Sequence, residues 1–374
     1  MGLKIGLITG GGDAPGLNAV IYGVVRAVEH QLPDAEIIGF HDSFKGIFNK
    51  DFIELNQVNT SGILNRGGSM LFSTNRDNPY HWAVGENPDG SKIYGDVSDG
   101  CATNLRETCD VLVAIGGDGT LTTARDLARK GDVKIIGVPK TIDNDLAATD
   151  MTFGFDSAVN VAVENLGRLH TTAEAHHRVL VAEIMGRNAG WLTLYAGIAG
   201  SADVILLPEF PYDIDRIIAK IHERDAADKR FTIIAAGEGA RAIDGAQTVS
   251  RKVDDAIDSV RLGGVAHLLA DELQKRIPED EHEVRHVVFG HTQRGGDASP
   301  ADRILALRYA IHAVNLIKNS KFNKIVVLKD GQISAVDFDV LTGATEEENQ
   351  RKVTADAELV QVARNLGIEF GAEF

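Results

Sequence analysis

The chain is short of several things, and each shortage removes a class of protein. Of 374 residues only two are cysteine, Cys101 and Cys109. They form no C-x-x-C pair, and two are too few for a disulfide framework, so reduced thiols in a cytoplasmic protein are the expectation. No basic run stands against the net charge of −16. A nucleic-acid binder normally carries a positive stripe, so no nucleic acid is expected as partner. No apolar stretch approaches the length of about 18 residues that crosses a bilayer, so no membrane is expected either. The opening Met-Gly-Leu-Lys-Ile-Gly enters a strand-like run directly, with nothing like a signal peptide before it. Internal repeats and low-complexity tracts are missing as well. Proline is scarce, at 9 residues against 39 glycines. The glycines fall in clusters, and clustered glycine brings backbone close to something else.

What is present is ordinary for a globular protein: 44% apolar and 25% charged residues. The length is too great for one small core and predicts two domains. Short β-branched runs alternate with amphipathic stretches almost throughout. Strands are expected at Lys4–Thr9, Val111–Ile115, Val133–Val138, Arg178–Ile184, Val204–Leu207, Thr232–Ala235, Val284–Phe289 and Lys324–Leu328. One predicted helix places Val159, Val163, Leu166 and Leu169 on a face; another places Ile304, Leu307, Ile311 and Val314. Glu346–Glu348 and the segment around Lys352–Glu358 read as a solvated C-terminal helix and its entry. Apolar runs without polar alternation suit strands covered on both faces, and the βα alternation implies doubly wound parallel sheets. Such sheets bind ligands beyond the carboxyl ends of their strands. Every polar or glycine cluster below follows directly on an expected strand, apart from Arg178 and Arg285, which open theirs.

The first cluster, Gly10-Gly11-Gly12-Asp13-Ala14-Pro15-Gly16, fails both the dinucleotide fingerprint and the Walker pattern. It is either a tight turn or a phosphate cradle, and three consecutive glycines exceed what a turn needs. The second, Gly116-Gly117-Asp118-Gly119-Thr120, lets a nucleotide lie against backbone and sets one carboxylate to meet a phosphate-held metal. The third, Lys140-Thr141-Ile142-Asp143-Asn144-Asp145, puts two carboxylates two residues apart at a strand end. Extended chain would aim both the same way, one at a metal and one at a substrate hydroxyl; a capped, solvated turn is the plainer alternative. The fourth set is basic: Arg178, Met185-Gly186-Arg187, Arg285, and His291 with Arg294. Guanidinium groups fit phosphate, although any one of them could be a surface ion pair. Glu238, between Gly237 and Gly239, could accept from sugar hydroxyls.

Together these motifs resemble the phosphofructokinase family from Lys4 to about Arg308. The resemblance implies an α/β fold of two doubly wound Rossmann-like domains with mainly parallel sheets. Residues 1–154 with 293–343 would take the phosphoryl donor, and 155–292 with 344–374 the sugar phosphate. It implies that Gly12, Arg76, Gly117, Asp118, Gly119 and Thr120 receive the donor, and that Asp118 and Asp145 serve Mg²⁺. Asp143 would take the proton from the 1-hydroxyl of fructose 6-phosphate, with Thr141, Arg187 and Lys140 around the transferring group. Met185, Gly186, Glu238, His291 and Arg294 would bind the sugar phosphate. Arg178 and Arg285 would reach in from a neighbouring subunit, so a homo-oligomer is implied.

Two features depart from the family pattern. After Gly67-Gly68 the family shows a run like Leu-Gly-Thr-Ser-Arg; here Arg76 comes one residue later, and Phe72 stands where glycine is usual. The donor signals also conflict. Gly119 is the residue that leaves room for ATP, whereas Lys140 is lysine as in the pyrophosphate enzymes. Exclusion outweighs attraction, so ATP is the expected co-substrate and pyrophosphate the alternative. The remaining rivals are an NAD or lipid kinase, which leaves Met185–Gly190 and Gly290–Gly296 without a role, and a sugar-phosphate sensor of the same fold. A sensor would be expected to have lost its carboxylates, yet Asp118, Asp143 and Asp145 are all present.

Overall fold

The computed structural model describes residues 2–252, 260–341 and 350–374. Among these residues the fold rests on two sheets. The first has eight strands around β1 (Lys4–Thr9), whose last five residues are buried. On one side of β1 lie β2 (Glu36–Phe40) and the antiparallel β3 (Phe52–Glu54). On the other lie β6 (Val111–Gly116), β7 (Ile135–Thr141), β15 (Lys324–Lys329) and the antiparallel β16 (Gln332–Asp337), with β8 (Phe153–Gly154) beside the end of β7. The second sheet is all parallel, in the order β10 (Val204–Leu206), β11 (Thr232–Gly237), β9 (Val179–Ile184), β14 (Val284–Val288). Two hairpins stand apart: β4 (Trp82–Glu86) with β5 (Lys92–Gly95), and β12 (Val249–Lys252) with β13 (Val260–Leu262).

Helices cover both faces of each sheet, as unbroken apolar strands require. On the first, α1 (Leu17–Gln31) and α9 (Pro300–Lys318) pack on one face, and α2 (Phe44–Asn49), α3 (Ser98–Thr108) and α4 (Asp118–Gly131) on the other. On the second, α5 (Phe155–His176), α6 (Trp191–Ala199) and α10 (Glu358–Asn365) face α7 (Ile214–Ala226) and α8 (Val265–Arg276) across the strands. The fold is α/β and doubly wound twice over. Cys101 and Cys109 are free and buried in the first unit, where burial pushes each thiol up to about 12.

Four expectations need correction. The strand expected at Val133–Val138 starts at Ile135 and runs on to Thr141, because β8 pairs with Lys140 and Thr141 and extends it past Pro139. On α9 only part of the expected apolar stripe is buried: Val314 is, but Ile304 and Ile311 are exposed, and the buried face runs through Leu305, Ala306, Tyr309, Ala310 and Ala313. Small alanines let α1 approach closely there, which a count of large apolar residues overlooks. Strand β14 is not covered on both faces; it is an edge strand with four exposed residues. Glu346–Glu348 lie outside the described residues, and the C-terminal helix begins only at Glu358, with Val353, Val360 and Ala363 buried against the second unit.

Candidate active site

The loops that the sequence singled out leave the carboxyl ends of β1, β6 and β7 in one sheet and of β9, β11 and β14 in the other. From β1 the chain steps outward to β2, then returns to β6 on the opposite side, which makes β1/β6 a switch point where the loops diverge and leave a crevice. All these loops border one cleft of about 1140 Å³.

On the first-sheet side the wall is main chain. A Cβ at Gly10 would fall 2.7 Å from Thr120 Oγ1, and one at Gly116 2.4 Å from Thr120 Cβ. The two glycine loops therefore close around the buried Thr120, and neither tolerates a side chain. Gly117 precedes α4, so Asp118, Gly119 and Thr120 present the helix N-terminus to the cleft, where backbone N–H groups and the dipole favour phosphate. Lys140 is buried and donates to Gly12 O at 2.6 Å. Burial, with Arg294 nearby, pushes its amine down to about 8. Arg76 lines the cleft, its N–H held by Thr74 Oγ1 at 3.0 Å. Phe72 stands beside it at φ 59°, with its ring exposed and 5.6 Å from His41.

The carboxylates meet between the two walls. Asp143 and Asp145 both line the cleft, but the route is not extended chain: Asn144 between them is left-handed, at φ 51°. Its Oδ1 accepts from Thr152 N at 3.0 Å, and Thr141 Oγ1 accepts from Asp143 N at 3.0 Å. Asp143 Oδ1 is buried without a hydrogen-bond partner. Burial, then the charges of Asp143 and Asp118, hold the Asp145 carboxyl well above the usual range. Crowded carboxylates, one of them with the unpartnered Asp143 oxygen, suit a hard divalent cation. Among the described residues no cluster of three His, Cys, Asp or Glu forms an all-protein metal cage.

The second-sheet wall is made of side chains. Arg187 sits at φ 52° after Gly186 at φ 139°. Its N–H donates to Glu238 Oε1 at 3.0 Å, and a Cβ at Gly239 would fall 2.0 Å from Arg187 O. The Arg187 and Glu238 loops are thus locked together. Burial, then Asp143, pushes Glu238 up to about 7. Met185, His291 and Arg294 also line the cleft. Arg294 reaches the first glycine loop, where its Nη1 donates to Asp13 O at 3.0 Å and would meet a Cβ at Gly12 at 2.9 Å.

Three of the selected residues do not line the cleft. Gly186 shapes the turn behind Arg187, and a Cβ there would fall 2.8 Å from Ala189 O. Arg178 and Arg285 lie at the opposite, amino ends of β9 and β14, where both pair with Glu283. The six-residue length of β9 separates them from the cleft by roughly 20 Å at about 3.3 Å per residue. Conversely, sequence reasoning passed over Asp42, Ser73 and Gln350, which all line the cleft. Ser73 Oγ donates to Gly11 O at 2.6 Å. Asp42 follows a strand that the sequence reading did not identify, so the rule that sites follow strands had nothing to act on.

A glycine cradle at helix N-termini, facing a carboxylate cluster and an arginine across a cleft between two doubly wound units, defines a phosphoryl-transfer site. A model of the family described as "Phosphofructokinase" matches residues 4–317. The "ATP-dependent 6-phosphofructokinase 2" of Clostridium perfringens is 51% identical over 98% of both chains. A "Pyrophosphate--fructose 6-phosphate 1-phosphotransferase" of Amycolatopsis methanolica is 44% identical over 89% of this chain and 93% of its own. Among solved structures, phosphofructokinase from Saccharomyces cerevisiae superposes with a TM-score of 0.73 at 26% identity; 91% of this chain spans 46% of that one. The chain belongs to the phosphofructokinase family.

Proposed function

We propose that the protein is an ATP-dependent 6-phosphofructokinase, moving the γ-phosphoryl group of ATP onto the 1-hydroxyl of fructose 6-phosphate. The observation that carries this reading is Asp143. Its buried, unpartnered oxygen stands in one cleft with the glycine cradle and the Arg187–Glu238 pair. Phosphoryl transfer asks mainly for positioning and charge neutralisation. Gly12, Gly117, Gly119 and Thr120 supply backbone to the donor, and Arg76 a charge beside it. Asp143 accepts the proton of the attacking hydroxyl. Arg187 and Thr141 offset the charge that grows on the transferring group; one such preorganised donor is worth about 3 kcal/mol. Asp118 and Asp145 would hold Mg²⁺, which supplies neutralisation of phosphate charge when bound. Met185, Gly186, Glu238, His291 and Arg294 form the sugar-phosphate side, Gly186 through the turn it makes.

Gly119 supports ATP, and so does the name of the Clostridium relative. The buried Lys140 on the Gly12 carbonyl, and the Amycolatopsis relative, favour pyrophosphate as the second reading. In the domain division we favour, residues 1–154 with 293–343 bind the donor, and 155–292 with 344–374 bind the sugar phosphate. Arg285 lies on the exposed edge strand β14 and Arg178 directly precedes its neighbour β9, both outside their own cleft. That placement supports a homo-oligomer in which these arginines complete a neighbour's site. Among the described residues no helix is long and apolar enough to cross a membrane, and a cytoplasmic location is part of the reading. Phosphorus NMR of the products tests it. Purified protein with fructose 6-phosphate, ATP and Mg²⁺ is expected to add one phosphate ester, at the sugar's 1-position. A product phosphorylated elsewhere, or ATP hydrolysis alone, would refute it.

A further inference from the structure

The family match ends at residue 317, yet residues 350–353 return to the cleft and touch both of its walls. Gln350 forms an antiparallel bridge with Leu146, and the Arg351 N–H donates to Asp145 O at 2.5 Å. The Arg351 side chain adds a second tie to the same loop, through Nη1 to Asp150 O at 3.0 Å. This short stretch is therefore stitched to the loop that carries Asp143 and Asp145.

The same stretch is tied to the opposite wall. Trp191 opens α6, directly behind Arg187–Gly190. Its Nε1 donates to Arg351 O at 2.8 Å, and the Arg351 guanidinium lies over its ring, 4.5 Å from the centroid. Two residues further on, Val353 N donates to Glu209 Oε1 at 2.9 Å. That oxygen also accepts from Gly190 N at 2.9 Å, so one carboxylate oxygen joins the strap to the arginine loop. A segment that merely closed off the core would bury side chains and leave its polar groups to solvent. Here the polar links end on the Asp145–Asp150 loop on one side and on Gly190–Trp191 on the other. Partial burial strengthens the guanidinium–indole contact.

We propose that Arg351 is a positioning residue that couples the donor-side carboxylate loop to the acceptor-side arginine loop, so that filling one subsite changes affinity at the other. The proposal rests on the reading of this cleft as the place where donor and sugar phosphate meet. Coupling of this kind needs a contiguous physical link between two loops that each ligand biases, and Arg351 supplies one.

The test uses the full chain and two readouts. The first is the affinity for fructose 6-phosphate with and without a β,γ-imido analogue of ATP. In the wild type the two affinities are expected to differ by about fivefold or more, and in Arg351→Ala by less than about twofold. Arg351→Lys keeps a cation over Trp191 but loses the fork, so it should fall between them. The second readout is amide hydrogen exchange in ligand-free protein. Arg351→Ala should speed exchange about tenfold in peptides covering residues 145–151 and 187–192 while leaving β1 and β9 protected. A purely structural role would lower the melting temperature without moving the affinity ratio. An unchanged ratio in Arg351→Ala, a wild type without coupling, or unchanged exchange in both peptides would overturn the proposal. Should Arg351→Ala not fold, Arg351→Lys decides by the same two readouts. If the wild type binds neither ligand, the functional reading falls, and the exchange experiment still decides whether Arg351 ties the loops together.

Discussion

The two walls of the cleft are built in opposite ways. Around β1 and β6 the surface is main chain, and a Cβ at Gly10, Gly12 or Gly116 would fall 2.4–2.9 Å from a neighbouring side chain. Around β9, β11 and β14 the surface is Arg187, Glu238, His291 and Arg294, each carried on a loop whose glycines only shape the turn. In the proposed function a ligand on the first wall would meet backbone N–H groups, which suit any phosphate chain. A ligand on the second must offer hydroxyls and a phosphate in fixed positions to meet side chains. The donor wall should therefore fail when atoms are added, and the acceptor wall and the carboxylates between should fail when groups are removed.

The largest effect is expected from removal at the centre. Asp143→Asn takes away the proposed proton acceptor but leaves the loop held by Thr141 and Asn144. Steady-state kinetics should show kcat about 10²–10⁴-fold lower with a small change in the KM for fructose 6-phosphate. A variant keeping more than about a third of wild-type kcat would remove Asp143 from the role of base.

Addition to the donor wall comes next. Gly119→Asp places a carboxylate at the start of α4, where the donor's phosphates are to lie. Clash and like-charge repulsion both act on ATP, and kcat/KM for ATP should fall by at least about 100-fold, near 2.7 kcal/mol. Pyrophosphate occupies less of the wall, so its use should appear or rise. Lys140→Gly, by contrast, removes an attraction and adds no obstacle. ATP use should then stay within about tenfold of wild type, measured in the same coupled assay.

The smallest effect is on stability. Lys140 titrates at about 8 in the fold because it is buried, against about 10.4 for an unfolded lysine. Between those values the unfolded chain binds more protons, so the wild type gains stability as pH rises through that window. Lys140→Met has no such gain. The melting temperature of the variant minus that of the wild type should therefore decrease between pH 7 and pH 10.

The same contrast between walls explains what could be read from the sequence. The glycine loops announce themselves because three glycines in a row, or three within four residues, have few other uses, and they sit after strands whose apolar runs are unmistakable. Single residues such as Glu238 and His291 gained meaning only from the strand ends that carry them. Short β2, with Asp42 at its end, and hairpin β4–β5 are too brief or too exposed to stand out by pattern. Nothing local marks Gln350 or Arg351, because their neighbours in space are Leu146, Asp145 and Trp191, far away in the chain. Arg178 and Arg285 are the opposite case: both open their expected strands, at the end away from the cleft, and the family resemblance gives them to a neighbouring subunit rather than to their own cleft.

The conflict between Gly119 and Lys140 gives the most direct test of the central claim, that a backbone-built donor wall open at Gly119 makes this chain an ATP enzyme. The measurement is kcat/KM for ATP and for pyrophosphate, on wild-type protein at saturating fructose 6-phosphate and Mg²⁺. The account predicts that ATP is preferred by about tenfold or more, since room at the α-phosphate position decides the donor. A preference for pyrophosphate would contradict it and pass the choice of donor to Lys140.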